Sequence, residues 1–169
     1  SCECCPLSKV FAPVNLGIDC SDGTTIATLG NTEIYGLSTL ISDRRAQRVT
    51  FTESGSIQSI SIYHMGGTGN LLLGVYSDQG GSPSSLLGVT ASTVINTNAG
   101  WQTVTLSTPV NVNSGDKVWL AWLFQNKTYV RYAAGTPGRA ISTGTWSGGM
   151  PGLFGPSNIA DYKYSIYCT

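Results

Sequence analysis

One stretch, residues 100–124 (GWQTVTLSTPVNVNSGDKVWLAWLF), constrains the fold more than any other. In its first part Val104 and Leu106 alternate with Thr103 and Thr105. In its second, Val118, Leu120, Trp122 and Phe124 fall on one face and Trp119, Ala121 and Leu123 on the other. A period of two with β-branched and aromatic residues predicts two strands. The second is apolar on both faces, so it is expected to be central and covered on both sides. Pro109 and Ser114-Gly115-Asp116 mark the connection as turn residues. Trp119 and Trp122, on opposite faces, are expected to anchor two layers of packing.

The remaining chain reads in the same way. Short strands are predicted at 33–35, 57–64, 71–77, 86–94, 128–133 and 162–168, and a charged edge strand at 44–51. Residues 135–157 are rich in Gly, Pro and Ser and carry Trp146, Met150 and Phe154. That is long for a loop without structure, so a packed loop is expected. No stretch has a helical period. Eight or nine short strands separated by turn signals predict an all-β fold, an antiparallel β-sandwich of jelly-roll type. It is expected to occupy residues 30–169, behind a cysteine-rich N-terminal extension at residues 1–29.

At 169 residues the chain is long enough for one domain with its own core. Nine basic residues balance nine acidic ones, and only 11% of residues are charged. Nucleic acid and anionic membrane surfaces are therefore not expected as partners. No long apolar run points to membrane insertion. A surface of Ser, Thr, Asn, Gln and Gly suits a secreted β protein and protects little against self-association. Ser1 fits a mature N-terminus left by a signal peptidase as well as an arbitrary boundary.

The five cysteines are Cys2, Cys4, Cys5, Cys20 and Cys168. Adjacent cysteines fit zinc spacing poorly, and no haem attachment motif accompanies them. Disulfides are the favoured reading. Five is odd, so at least one cysteine is free or paired between chains. The second half of the extension is apolar, with Val10, Phe11, Val14, Leu16 and Ile18. It reads as an extra strand that adds to a sheet edge, its own or a neighbour's. Head-to-tail docking of that kind does not close and generates filaments.

Catalysis is not expected. The nine carboxylates fall mostly in turns, and His64 is the only imidazole available as a base. No cofactor is expected. Calcium is the one metal considered, with Asp78 in a Gly-rich loop as its candidate, without EF-hand spacing. Trp146, with Tyr129, Arg131 and Tyr132, offers an aromatic and polar platform for a sugar; Trp101, Trp119 and Trp122 read as core. Asn126-Lys127-Thr128 is a glycosylation sequon in a turn.

From Gly30 onward a run of short pieces occurs in order. It comprises Gly-Asn-Thr-Glu at 30–33, Ile-Tyr-His at 62–64, Leu-Gly-Val-Tyr at 73–76 and Leu-Gly-Val-Thr at 87–90. Gly-Trp-Gln-Thr at 100–103, Trp-Leu-Ala-Trp at 119–122, Trp-Ser-Gly-Gly-Met-Pro at 146–151 and Tyr-Ser-Ile-Tyr at 164–167 continue it. This run resembles an accessory β-sandwich module of bacterial secreted and cell-surface multidomain proteins. The resemblance implies secretion and a non-catalytic role. The expected function is that of a structural subunit of an extracellular assembly, a filament or surface layer, joined by N-terminal strand docking and disulfides. The homo-oligomer or polymer so formed is the main partner expected. The alternative is a carbohydrate-binding or adhesion module, with polysaccharide as partner.

Overall fold

A computed structural model describes residues 27–169 of the chain. Cys2, Cys4, Cys5, Cys20 and the apolar positions Val10, Phe11, Val14, Leu16 and Ile18 lie outside the described residues. The described part is all-β and holds twelve strands. These are β1 (Leu29–Gly30), β2 (Leu37–Ile41), β3 (Arg45–Thr50), β4 (Gly55–His64), β5 (Asn70–Gln79) and β6 (Ser82–Val89). They continue with β7 (Thr93–Val94), β8 (Gly100–Val112), β9 (Lys117–Phe124), β10 (Thr128–Ile141), β11 (Asn158–Tyr164) and β12 (Ile166–Cys168). A single turn of 3₁₀-helix, Trp146–Gly148, interrupts them. Among the described residues no helix is long and apolar enough to cross a membrane.

All pairings are antiparallel, in the order β1-β12-β4-β10-β3-β9-β5-β6. β8 adds to β4, β2 and β11 add to β10, and β7 adds to β5. β9 lies between β3 and β5, with Ala121 opposite both Ala46 and Gly74. Its Val118, Leu120, Trp122 and Phe124 pack with Leu71, Leu73 and Val75 of β5. Ile57, Ile60 and Ile62 of β4 and Val104 and Leu106 of β8 join the same cluster. β4 and β8 are not neighbours of β9 in the ladder, so the sheet curls until both groups of strands bury one core.

The opposite face of β9 is covered as well. Trp119 and Ala121 pack with Ala46, Tyr76, Ala140 and Phe154 in a second cluster. The cover comes from the glycine-rich segment. β10 runs further than the alternation suggests, to Ile141, and residues 142–157 then turn back over the sheet. The Phe154 N–H donates to Ser84 O at 2.8 Å, and the Tyr76 hydroxyl donates to Pro151 O at 2.7 Å. Arg44 clamps the segment. Its Nη2 donates to Phe154 O at 2.7 Å, its Nη1 to Gly149 O at 3.3 Å, and its guanidinium lies 4.8 Å from the Phe154 ring centre. A Cβ at Gly144 would collide with that guanidinium, so a larger residue there would displace the clamp.

Three local expectations are corrected. The strand placed at 33–35 begins later, at Leu37, because Tyr35 N–H and Gly36 O bond to Ser165 Oγ and Arg131 Nη1 rather than to a ladder. The segment read as a charged edge strand is interior, since β3 is flanked by β10 and β9. Its polar Gln47 is fully buried, donating to Gly138 O at 2.8 Å and accepting the Tyr164 N–H at 2.8 Å. A polar side chain that replaces ladder bonds is compatible with burial, so polarity did not report an edge. Pro109 is not in a turn but within β8, where the β4–β8 register jumps between Ile57 and Ser59. An irregularity is where a strand tolerates proline.

Candidate functional site

β12 ends at Cys168, opposite Leu29 of β1 on one side and Ile60 of β4 on the other. The Cys168 thiol donates to Leu29 O at 3.4 Å and is 2% exposed. Burial pushes its pKa up to about 12, so it is held as the thiol. Among the described residues Cys168 has no cysteine partner. It lines a groove of about 600 Å³ together with Ala27, Leu29, Phe51, Ile57 and Val112. Ala27 is the first described residue.

The residues expected to form a sugar platform are brought together only in part. Tyr129, Arg131 and Tyr132 stand near the start of β10, whereas Trp146 follows its far end, half-buried in the 3₁₀ turn. Tyr129 pairs with Leu40 of β2 and is 50% exposed. Arg131 donates to Gly36 O at 3.2 Å. Tyr132 packs towards the core, stacked on Tyr164 at 5.5 Å and edge-on to Tyr162 at 5.7 Å. Period two along the strand puts it on the opposite face from Tyr129 and Arg131. Asn126 is exposed in the β9–β10 turn, with Nδ2 donating to Thr68 Oγ1 at 3.0 Å.

Asp78 is engaged by its own chain: Oδ1 accepts the Trp119 indole N–H at 2.8 Å and Oδ2 the Gly81 N–H at 3.4 Å. Among the described residues no group of three or more His, Cys, Asp or Glu side chains is placed to hold a metal ion. His64 is fully buried. The Gly66 N–H donates to its Nδ1 at 2.9 Å, which leaves the proton on Nε2, 2.7 Å from Gln102 Oε1. Burial lowers its pKa, outweighing the Gln102 bond. With both ring nitrogens committed, the imidazole ties β4 to β8 and the following turn.

A second aromatic group lies on the outer face of β4, β8 and β12; it includes Trp101, expected in the core, and two tyrosines for which no site was expected. Tyr63 pairs with Trp101, and Ser61 pairs with both Thr103 and Tyr167. The Trp101 ring meets Tyr63 edge-to-face at 5.7 Å and Tyr167 at 4.9 Å. Beneath the rings Ser61 is only 2% exposed, its Oγ 2.6 Å from Thr103 Oγ1. A small residue at that position lets Trp101 and Tyr167 meet diagonally across it. All three rings are half-buried and belong to neither core cluster. The signal was present in the sequence: Trp101 shares the parity of Thr103 and Thr105, not that of Val104 and Leu106.

Comparison of the chain with protein-family models, with curated proteins and with solved structures finds no match.

Proposed function

We propose that this chain is a non-enzymatic, secreted structural subunit of an extracellular assembly, joined to its neighbours by its N-terminal segment and by disulfides. The observation that carries this reading is Cys168, buried in a groove that Ala27 and Leu29 also line. The other four cysteines all lie in residues 1–20, so any disulfide to Cys168 comes from an N-terminal segment, its own or a second copy's. An odd cysteine count leaves at least one thiol for a bond between chains. The reading takes the curled sheet as a jelly-roll sandwich and the groove as the seat of the apolar stretch 10–18 of a neighbouring copy, added along a sheet edge. The commitment of both His64 nitrogens supports a non-catalytic role. The resemblance to secreted accessory modules supports export.

The test uses the full chain, purified under oxidising conditions, on a non-reducing gel with mass mapping of cysteine pairs. The expected result is a ladder of covalent oligomers, with Cys168 linked to an N-terminal cysteine of another copy. Deletion of residues 1–20 is expected to leave a folded monomer. A monomer with internal bonds only, or an unchanged polymer after the deletion, overturns the reading.

A further inference from the structure

We propose that Tyr63, Trp101 and Tyr167 form a contact site for a neutral sugar chain. The site stands on three observations. The rings share one outward face and brace each other edge-to-face, at 5.7 Å and 4.9 Å between centres. Rings already held by their neighbours lose little freedom when a ligand lands on them. The positions around them are hydroxyl-bearing: Ser59, Ser61, Thr103 and Thr105 on the paired strands, with Thr169 bonded to Ser59 through the backbone. Aromatic rings that present an apolar body beside hydroxyl groups match the C–H faces and hydroxyls of a pyranose.

Charge chooses the ligand class. The three strands β4, β8 and β12 contain no Asp, Glu, Lys or Arg. An anionic polymer therefore finds no cation on this face, while an uncharged polymer leaves no charge to desolvate. A second copy of the chain is the less suitable occupant. Interface centres favour tyrosine and tryptophan but are depleted in serine, and the floor of this face is Ser61. The bonded pair Ser61 and Thr103 keeps the centre of the face polar.

The experiment titrates the full-length protein with soluble neutral hexasaccharides of glucose, mannose and N-acetylglucosamine, following tryptophan fluorescence and calorimetric heat. A sulfated polysaccharide serves as the charged comparison. Binding of at least one neutral oligosaccharide is expected, weakened about tenfold or more by Trp101→Ala, a change of one decade in Kd. Trp146→Ala is expected to leave Kd within about twofold. Circular dichroism verifies the fold of each variant. Should Trp101→Ala fail to fold, Thr103→Lys places a charge on the exposed face and is expected to weaken binding while leaving the rings. Absence of neutral binding, preference for the sulfated polymer, or binding that survives Trp101→Ala and is lost in Trp146→Ala each overturns the site. So does a Trp101→Ala or Thr103→Lys variant that changes oligomeric state and not sugar affinity, since the face would then be a contact between copies.

Discussion

Replacing Phe154 by alanine removes the plug that closes the outer face of the sheet. Phe154 is 1% exposed. Its ring meets Tyr76 edge-to-face at 5.1 Å and lies under the Arg44 guanidinium at 4.8 Å. Truncating a buried phenylalanine to alanine costs about 3–5 kcal/mol in lost transfer energy and residual cavity. The cost belongs in the upper half of that range, because the aromatic pair contributes about 0.5–1.5 kcal/mol and the guanidinium a comparable amount beyond area burial. The walls are strands held in their ladders, so they can collapse little into the space.

The neighbouring residue supplies the control. Leu153 is 68% exposed, and Leu153→Ala is expected to change stability by less than about 0.5 kcal/mol. In a domain of this size 1 kcal/mol shifts Tm by about 2–4 °C. Phe154→Ala is thus expected to melt on the order of 10 °C lower, and Leu153→Ala within about 2 °C of the parent. Urea and thermal unfolding followed by circular dichroism, with tryptophan fluorescence as a second probe, measure both. A loss below about 1 kcal/mol in Phe154→Ala, or equal losses in the two variants, would refute the view that residues 142–157 complete a second core.

Three further outcomes are expected. Stability should fall with acidification, because the buried His64 titrates below its unfolded value near 6.5. The unfolded chain then binds the extra proton first, and stability present above about pH 6.5 is lost as pH drops towards the folded pKa, by at most about 1.4 kcal/mol per pH unit. Urea midpoints between pH 7.5 and pH 5 measure the slope, and a slope unchanged in His64→Gln assigns it to another group. Gly66 has φ of +83°, and a Cβ there would strike the Thr97 carbonyl, so Gly66→Ala should cost about 2 kcal/mol or more, whereas Gly36→Ala, in open space, should be neutral. An undiminished Tm in Gly66→Ala contradicts the turn geometry. Finally, Cys168 in fully reduced protein should react with an aromatic disulfide reagent far more slowly than a free thiol and at the normal rate in denaturant, since burial holds its pKa at about 12. Rapid labelling of Cys168 itself, located by mass mapping among the five cysteines, contradicts its placement.

Alternation alone determined that the fold is all-β, because a strand's side chains reverse face at every residue and so write burial into the sequence. It located β4, β5, β8 and β9, and the two-sided apolar run placed β9 at the centre. The length of the glycine-rich segment marked it as packed. Three things were decided only in three dimensions. Polarity suggested that β3 lay at an edge, but the partners of Arg44 and Gln47 come from residues about ninety to 117 positions away, and no local pattern records them. Trp146 and Tyr129 have the composition of a sugar platform, yet they sit at opposite ends of β10, because one long strand separates them. Tyr63, Trp101 and Tyr167 come together through antiparallel register between β4, β8 and β12. Parity along each strand tells which way these rings point; only the ladder, which pairs residues 38 and 106 positions apart, sets them side by side over Ser61.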